Sequence, residues 1–315
     1  MQLSNRSVNT VLRRSLNLTA QDTMLVVAEE SFADIAEQIW TIAKKITRNS
    51  VQLKLTSHML DSEKLPLPVK GILETATACM ILTTKYVEIA ELNKARRKGT
   101  RFIVIQRATK RLIERCIDTD YSYIANKSKK LAELFSIGKS LHITSALGTD
   151  LQIPVHKMVG LAETGMAGNA GEFSYLPAGE ACLPLNAQHI NGRIIIDRIA
   201  GQKKLVNPIV LLINNSQITQ IKGAEEAEAL RKLIRKFGKE GRNIQELGIG
   251  TNDKVTKGVS AQEDEKISGS LHIAFGSDRL TKVQGRAHDA VRALVMKPTL
   301  SIDGRQIIDD GKILV

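Results

Sequence analysis

Aromatic residues are scarce in this chain: phenylalanine, tyrosine and tryptophan make up 3% of its 315 residues. So few flat rings leave little on which nucleic-acid bases could stack. The net charge of +12 invites a nucleic-acid reading. The basic residues are spread along expected helices, however, as in KARRKGTR and LRKLIRKFGKEGR, and read as a solvated surface; a nucleic-acid partner is not expected. Cysteine is sparse too. Cys79, Cys116 and Cys182 are odd in number and lack CxxC spacing, which argues against a disulfide framework or a thiolate zinc site and fits a reducing cytoplasm. All three are expected to be buried as apolar residues. No apolar run reaches the roughly 18–20 residues that a membrane span needs. The N-terminal stretch MQLSNRSVNTVLRRSLNL reads as an amphipathic helix, without the apolar core or cleavage site of a signal peptide. Glycine-rich phosphate loops are missing as well. The first strand runs into AEESFADIA, not GxGxxG or GxxxxGK, so neither a dinucleotide nor a nucleoside triphosphate site is supported.

What is present is alternation of strand and helix from Asp22 to about Thr144. TMLVVA, VQLKLT, CMILTT and RFIVIQ read as apolar strands. SFADIAEQIWTIAKKI, with Ser31 placed to cap it, LPVKGILETA, EIAELNKARRKG and ATKRLIERCI read as the helices between them. NKSKKLAELFSIGKSLHIT adds one more helix and strand. This pattern predicts an α/β, Rossmann-like N-terminal domain over residues 1–144, with an open, mostly parallel sheet. Near Ser145 the character changes to Gly-, Pro- and small-residue-rich segments and short strands such as NGRIIIDRIAG, PIVLLIN and SQITQIKG. One long helix, GAEEAEALRKLIRKFGKEG, is acidic early and basic late, as the helix dipole favours. The end, KPTLSIDGRQIIDDGKILV, reads as a hairpin turned at Asp303–Gly304 with a second turn at Asp310–Gly311. Residues 145–315 are therefore expected to form an α+β domain with antiparallel pairing.

The most informative stretch is SGSLHIAFG. Leu271, Ile273 and Phe275 point one way, while Ser270, His272 and Ala274 point the other. A half-buried strand follows, with one imidazole among small neighbours, and imidazole is the commonest metal ligand. Acidic residues at Glu246, Asp264 and Glu265 lie in glycine-punctuated segments nearby. Each has a plainer reading. His272 could be a hydrogen-bonded strand histidine, Glu246 a structural acid, and Asp264–Glu265–Lys266 a surface charge run. Asp150 in LGTDL is expected to close a turn through its side chain. His58, His142, His156 and His189 have no partner at metal spacing.

LGTDL, GEFSYLPAGEACLPL, ELGIGTN, DEKISGSLHIAFGSD and KPTLSIDG, in that order, resemble the aminopeptidase T family of metallopeptidases. That family is similar to the 2,5-dihydroxypyridine dioxygenases, which share its fold. The resemblance covers most of residues 145–315 and implies an α+β domain of the aminopeptidase T type. By resemblance Glu180, Glu246 and His272 correspond to metal ligands, joined in the family by a later His-x-Asp pair. Here this chain departs. The expected pair falls at about Ala290 and Arg292, while His288 and Asp289 lie adjacent and earlier. Neighbouring strand residues face opposite ways, so only a turn or bulge would let both reach one metal. Arg279 stands near the place of a family tyrosine.

Three functions follow from this resemblance. The first is a hydrolase of the aminopeptidase type acting on peptides, with Glu180 or Glu265 moving the proton and Glu180, Glu246, His272 and His288 around a divalent Zn, Co, Mn or Fe ion. The second is a mononuclear iron dioxygenase acting on a small aromatic ring. In the third, a cleft without metal or catalysis binds a peptide or small acidic ligand through Arg279, Arg286 and Arg292. The resemblance further implies a homodimer.

Overall fold

The structure is a computed structural model that describes residues 2–56, 65–87, 89–185, 189–276 and 290–315. The chain divides into two compact units. One comprises Met1–Ala125 with Thr164–Ala178, the other Asn126–Glu163 with Gly179–Val315. A single cut near residue 144 is the simplest expectation from composition, whereas the two units are interleaved along the chain.

In the first unit β1 (Met24–Glu29), β2 (Ser50–Leu55), β3 (Ala78–Leu82) and β4 (Arg101–Ile105) are parallel, in the order β2-β1-β3-β4. Both faces of the central strands are covered, so all six residues of β1 are buried. Met24, Val26 and Ala28 join one core with Ile35, Ala36 and Ile39. Leu25 and Val27 join the other with Val69, Leu73 and Leu92. The helices responsible are α1 (Asn5–Thr10), α2 (Ala33–Ala43), α3 (Leu67–Leu73), α4 (Ile89–Arg97) and α5 (Lys110–Ile117). Ser31 does not cap α2. It lies in a single tight turn, Glu30–Phe32, that precedes the helix, and no side chain caps the helix start. At the carboxyl ends of β1 and β3, where doubly wound sheets usually take ligands, the buried Glu29 carboxylate accepts from the Thr83 and Thr84 hydroxyls and the Thr84 N–H.

Helix α6 (Tyr121–Ile137) leads to β5 (Ser140–Thr144), which does not extend the parallel sheet. It pairs antiparallel with β6 (Asp150–Pro154). After β7 (Leu161–Glu163), the parallel sheet gains its fifth strand from β8 (Phe173–Tyr175), which lies beside β4. Apolar alternation identifies a strand, but its partner depends on contacts far along the chain.

The second unit is a curled antiparallel sheet. Its further strands are β9 (Glu180–Pro184), β10 (Asn191–Ile199), β11 (Lys204–Asn214), β12 (Gln217–Lys222), β13 (Ile244–Gly250), β14 (Leu271–Phe275), β15 (Val291–Val295), β16 (Thr299–Ile302), β17 (Arg305–Asp309) and β18 (Lys312–Ile313). The path runs β18-β17-β16-β5-β6-β10-β15-β14-β13-β9-β7, with β11 beside β10 and β12 beside β11. β10 serves two neighbours on one edge: Asn191–Arg193 pair with β6, and Arg198 and Ile199 with β15. A register shift between Ile196 and Arg198 accompanies the bend. Helix α7 (Glu225–Arg235) contributes Ala227, Leu230 and Ile234 to the core beneath the sheet. Leu230 and Ile234 each contribute about 1.5–3 kcal/mol by leaving water, and the smaller Ala227 less. The Asp303–Gly304 and Asp310–Gly311 turns form with positive φ at all four residues, as their sequences require. Among the described residues no helix is long and apolar enough to cross a membrane.

Candidate metal centre

Strand β13 pairs with β9 on one side and β14 on the other, and β14 pairs with β15. Directly opposite residues of an antiparallel sheet face the same way. Leu247, with Leu183 and Ile273 opposite, and Ala293 beyond, all belong to the large core. The other face carries the chemistry. Glu180 stands opposite Gly250; Gly248 lies between Cys182 and His272; Glu246 lies opposite Ala274, and Ala274 opposite Arg292. The expected alternation of SGSLHIAFG is observed, with Leu271, Ile273 and Phe275 in the core, but the strand is not half-buried: Ser270, His272 and Ala274 on the other face are buried as well.

Glu180, Glu246 and His272 are fully buried, and one ligand atom from each lies within 4.8 Å of the others. His272 Nε2 is 3.5 Å from Glu180 Oε1 and 3.4 Å from Glu246 Oε1. The other ring nitrogen, Nδ1, is buried without a hydrogen-bond partner among the described residues. Of the further residues expected from the sequence, Glu265 and Arg292 reach this face. Arg292 Nε lies 3.3 Å from Glu265 Oε2, and its Nη2 lies 3.8 Å from Glu246 Oε1. Arg279, Arg286, His288 and Asp289 fall outside the described residues.

Among the described residues, Lys266 and Glu163 also join the cluster. Lys266 pairs with Glu180 Oε2, with Glu163 Oε2 at 2.5 Å and with Glu265 Oε2 at 3.7 Å. Glu163 on β7 stands directly opposite Glu180 on β9, a like-charge pair that would repel without the ammonium between them. Glu163 had no stronger signal than a lone acid before a glycine-rich stretch. Lys266 is set by its local turn. Ser260 caps the short helix α8 (Ala261–Asp264) by accepting from Glu263 N–H. The Asp264 carboxylate then accepts from the backbone N–H groups of Gly201 and Gly258 at 2.9 and 2.6 Å. Asp264, Glu265 and Lys266 are all buried, so this run is part of the protein interior and not a surface charge run.

The donor set suits a first-row divalent cation, which carboxylate oxygen and imidazole nitrogen both accept. Around it, Glu163, Glu180 and Glu265 lie against the Lys266 ammonium, and Glu246 and Glu265 against the Arg292 guanidinium. Elsewhere, Asp150 does not close its turn but binds His142 Nε2 at 2.9 Å across β5 and β6. His189 Nδ1 lies against Asn215. The three cysteines are buried and unbridged.

The chain thus combines a parallel α/β unit with a curled antiparallel sheet whose buried carboxylate–histidine cluster could hold a metal ion. The sequence matches the NicX family, described as 2,5-dihydroxypyridine 5,6-dioxygenase, over residues 9–315, and the chain belongs to that family. Among solved structures it is similar to the 2,5-dihydroxypyridine dioxygenase of Pseudomonas putida KT2440. The TM-score is 0.80 at 17% identity, covering 100% of this chain and 99% of that one. It is also similar to AmpT from Thermus thermophilus, with a TM-score of 0.67 at 12% identity over 99% and 98% of the two chains. At these identities the likeness is one of fold. No curated protein matches the chain. The aminopeptidase reading placed first on the sequence therefore yields to its dioxygenase alternative; the fold common to both stands.

Proposed function

We propose that the chain is an iron-dependent dioxygenase that opens the ring of 2,5-dihydroxypyridine or a closely related hydroxylated N-heteroaromatic. The observation that carries this reading is the family match across residues 9–315. The buried Glu180–Glu246–His272 cluster supports it by supplying a place for the metal. When bound, the metal supplies the one-electron chemistry that lets dioxygen react with an aromatic ring. The chain's own residues do the rest. Glu180, Glu246 and His272 hold the ion, and Lys266 holds Glu180 by its second oxygen. Glu265 accepts the proton of a ring hydroxyl. Arg292, beside Glu265, orients the oxygen anion so formed.

The test is oxygen uptake by protein loaded anaerobically with ferrous iron and given 2,5-dihydroxypyridine. Uptake of one dioxygen per ring, with loss of the ring absorbance, is expected. Stoichiometric iron without uptake would remove the proposal. Amine release from peptides by the cobalt-, zinc- or manganese-loaded protein would restore the hydrolase.

A further inference from the structure

We propose that the Arg292 guanidinium competes with the metal ion for Glu246, so that Arg292 limits how tightly the centre is loaded. The inference rests on the reading of Glu180, Glu246 and His272 as ligands.

Glu246, Ala274 and Arg292 form one row across β13, β14 and β15. Opposed residues share a face, so the two charged side chains flank a single methyl group. Their strands lie two spacings apart, about 9.4–9.8 Å, and Ala274 is too small to keep long side chains from meeting above it. Arg292 Nη2 accordingly lies 3.8 Å from Glu246 Oε1. The same oxygen faces His272 Nε2 at 3.4 Å. A cation taken by this oxygen and the imidazole would therefore share Glu246 with the guanidinium. The backbone of Arg292 is fixed, since its carbonyl accepts from Ala200 N–H at 2.9 Å and its strand is paired with β14. Its side chain is 14% exposed, so salt screens its charge less than that of a surface arginine.

The distances bound the repulsion. A carboxylate oxygen binds a first-row divalent ion such as zinc at about 2.0–2.2 Å. An ion on Glu246 Oε1 would stand within about 6 Å of Nη2 as Arg292 now lies. Even at the dielectric constant of bulk water, a unit charge about 6 Å from a divalent ion weakens its binding about tenfold. This repulsion is pairwise and acts whatever else either side chain touches. Loading therefore favours a guanidinium turned from Glu246 toward Glu265, whose Oε2 lies 3.3 Å from Nε.

The experiment measures Mn2+ dissociation constants by titration calorimetry on the metal-free, full-length protein at fixed ionic strength. The wild type, Arg292→Met, Arg292→Gln and Lys222→Met are compared, with circular dichroism as a check of folding. Lys222 is exposed at the end of β12, the third strand beyond β15, and its variant removes the same charge from there. Arg292→Met and Arg292→Gln are each expected to bind Mn2+ about tenfold or more tightly than the wild type, with Lys222→Met unchanged. Arg292→Gln decides the question if Arg292→Met does not fold. Unchanged or weakened binding in the Arg292 variants, while the wild type binds, overturns the competition and leaves the ligand reading intact. An equal gain in Lys222→Met would trace the effect to net charge and overturn the competition as well. If neither the wild type nor any variant binds Mn2+, the ligand reading fails and this inference falls with it.

Discussion

The imidazole of His272 lies over the α-carbon of Gly248 on the neighbouring strand. A β-carbon built there would stand 2.2 Å from His272 Cε1, 2.5 Å from Nε2 and 2.7 Å from Glu180 Oε1. Gly248 is thus part of the centre although it carries no functional group, which gives a steric reason for a glycine two residues after Glu246 in ELGIG. In Gly248→Ala the ring and the carboxylate must both move, and the packed strands on either side resist a shift of the backbone. The expected cost is about 1–3 kcal/mol of stability, as for other overpacked sites. Metal affinity is expected to fall by about 10–100-fold, the range seen when the support of a ligand is disturbed. Urea unfolding and metal titration read the two effects separately, and wild-type values in both would contradict the arrangement.

A ligand that binds only the folded chain stabilises it by mass action. The amount is about 2.7 kcal/mol when the free ion stands at 100 times its dissociation constant. Adding Mn2+ to chelator-treated protein should therefore raise the melting temperature, and excess chelator should reverse the rise. Glu246→Gln keeps the shape of a fully buried side chain while removing its charge, and His272→Ala removes the one imidazole of the cluster among the described residues. Both variants should lose most of the Mn2+-dependent rise. A rise equal to that of the wild type in either would place the ion elsewhere.

How much of this could be read from the sequence depended on the range of the contact involved. His272 was readable because strand alternation alone sets it opposite Leu271 and Ile273, and the two Asp-Gly turns because their backbone demands are local. Glu180 is marked only by the resemblance, and Glu246, notable for its glycine-punctuated segment, is read as a ligand only through it, since nothing local distinguishes a ligand from a structural acid. Lys266 and Glu163 were not marked as site residues. Their meeting depends on the β7–β9 register and on the turn pinned by Asp264, neither of which has a local signature. The exchange of β5 and β8 between sheets has the same cause. Periodicity identifies a strand without naming its neighbour.

That turn makes a separate prediction. Asp264 is fully buried and accepts two backbone N–H groups, those of Gly201 and Gly258. Asp264→Ala leaves both donors without this partner, and each such loss costs about 1–3 kcal/mol. Glu265 and Lys266 follow directly in the chain, so metal affinity should fall together with stability. A variant that is destabilised but binds metal with unchanged affinity would show that Asp264 supports the loops alone. Calorimetry of binding at a temperature well below the melt makes the distinction.

In the parallel unit, Asp22 offers a pH-dependent test. Burial acts to raise its pKa. The Thr77 hydroxyl, the N–H and hydroxyl of Thr19 and the Arg101 guanidinium outweigh burial and hold the carboxyl below its ordinary value. The contacts are short: Thr77 and Arg101 both reach Oδ1 at 2.7 Å, and the two Thr19 groups reach Oδ2 at 2.8 Å. A carboxylate with a lowered folded-state pKa binds its proton more readily in the unfolded chain. Its contribution to stability is therefore complete above the unfolded pKa of about 3.9 and is lost as pH falls through the folded value. At pH 7, Asp22→Asn should cost about 1.5–3 kcal/mol, the range for a lost charged hydrogen-bond acceptor. The gap between wild type and variant should then narrow steadily as pH drops below 4. Urea denaturation at a series of pH values measures that gap directly. A gap that stays constant down to pH 2 would mean that the charge of Asp22 is not what joins β1, β3 and β4 at this end of the sheet.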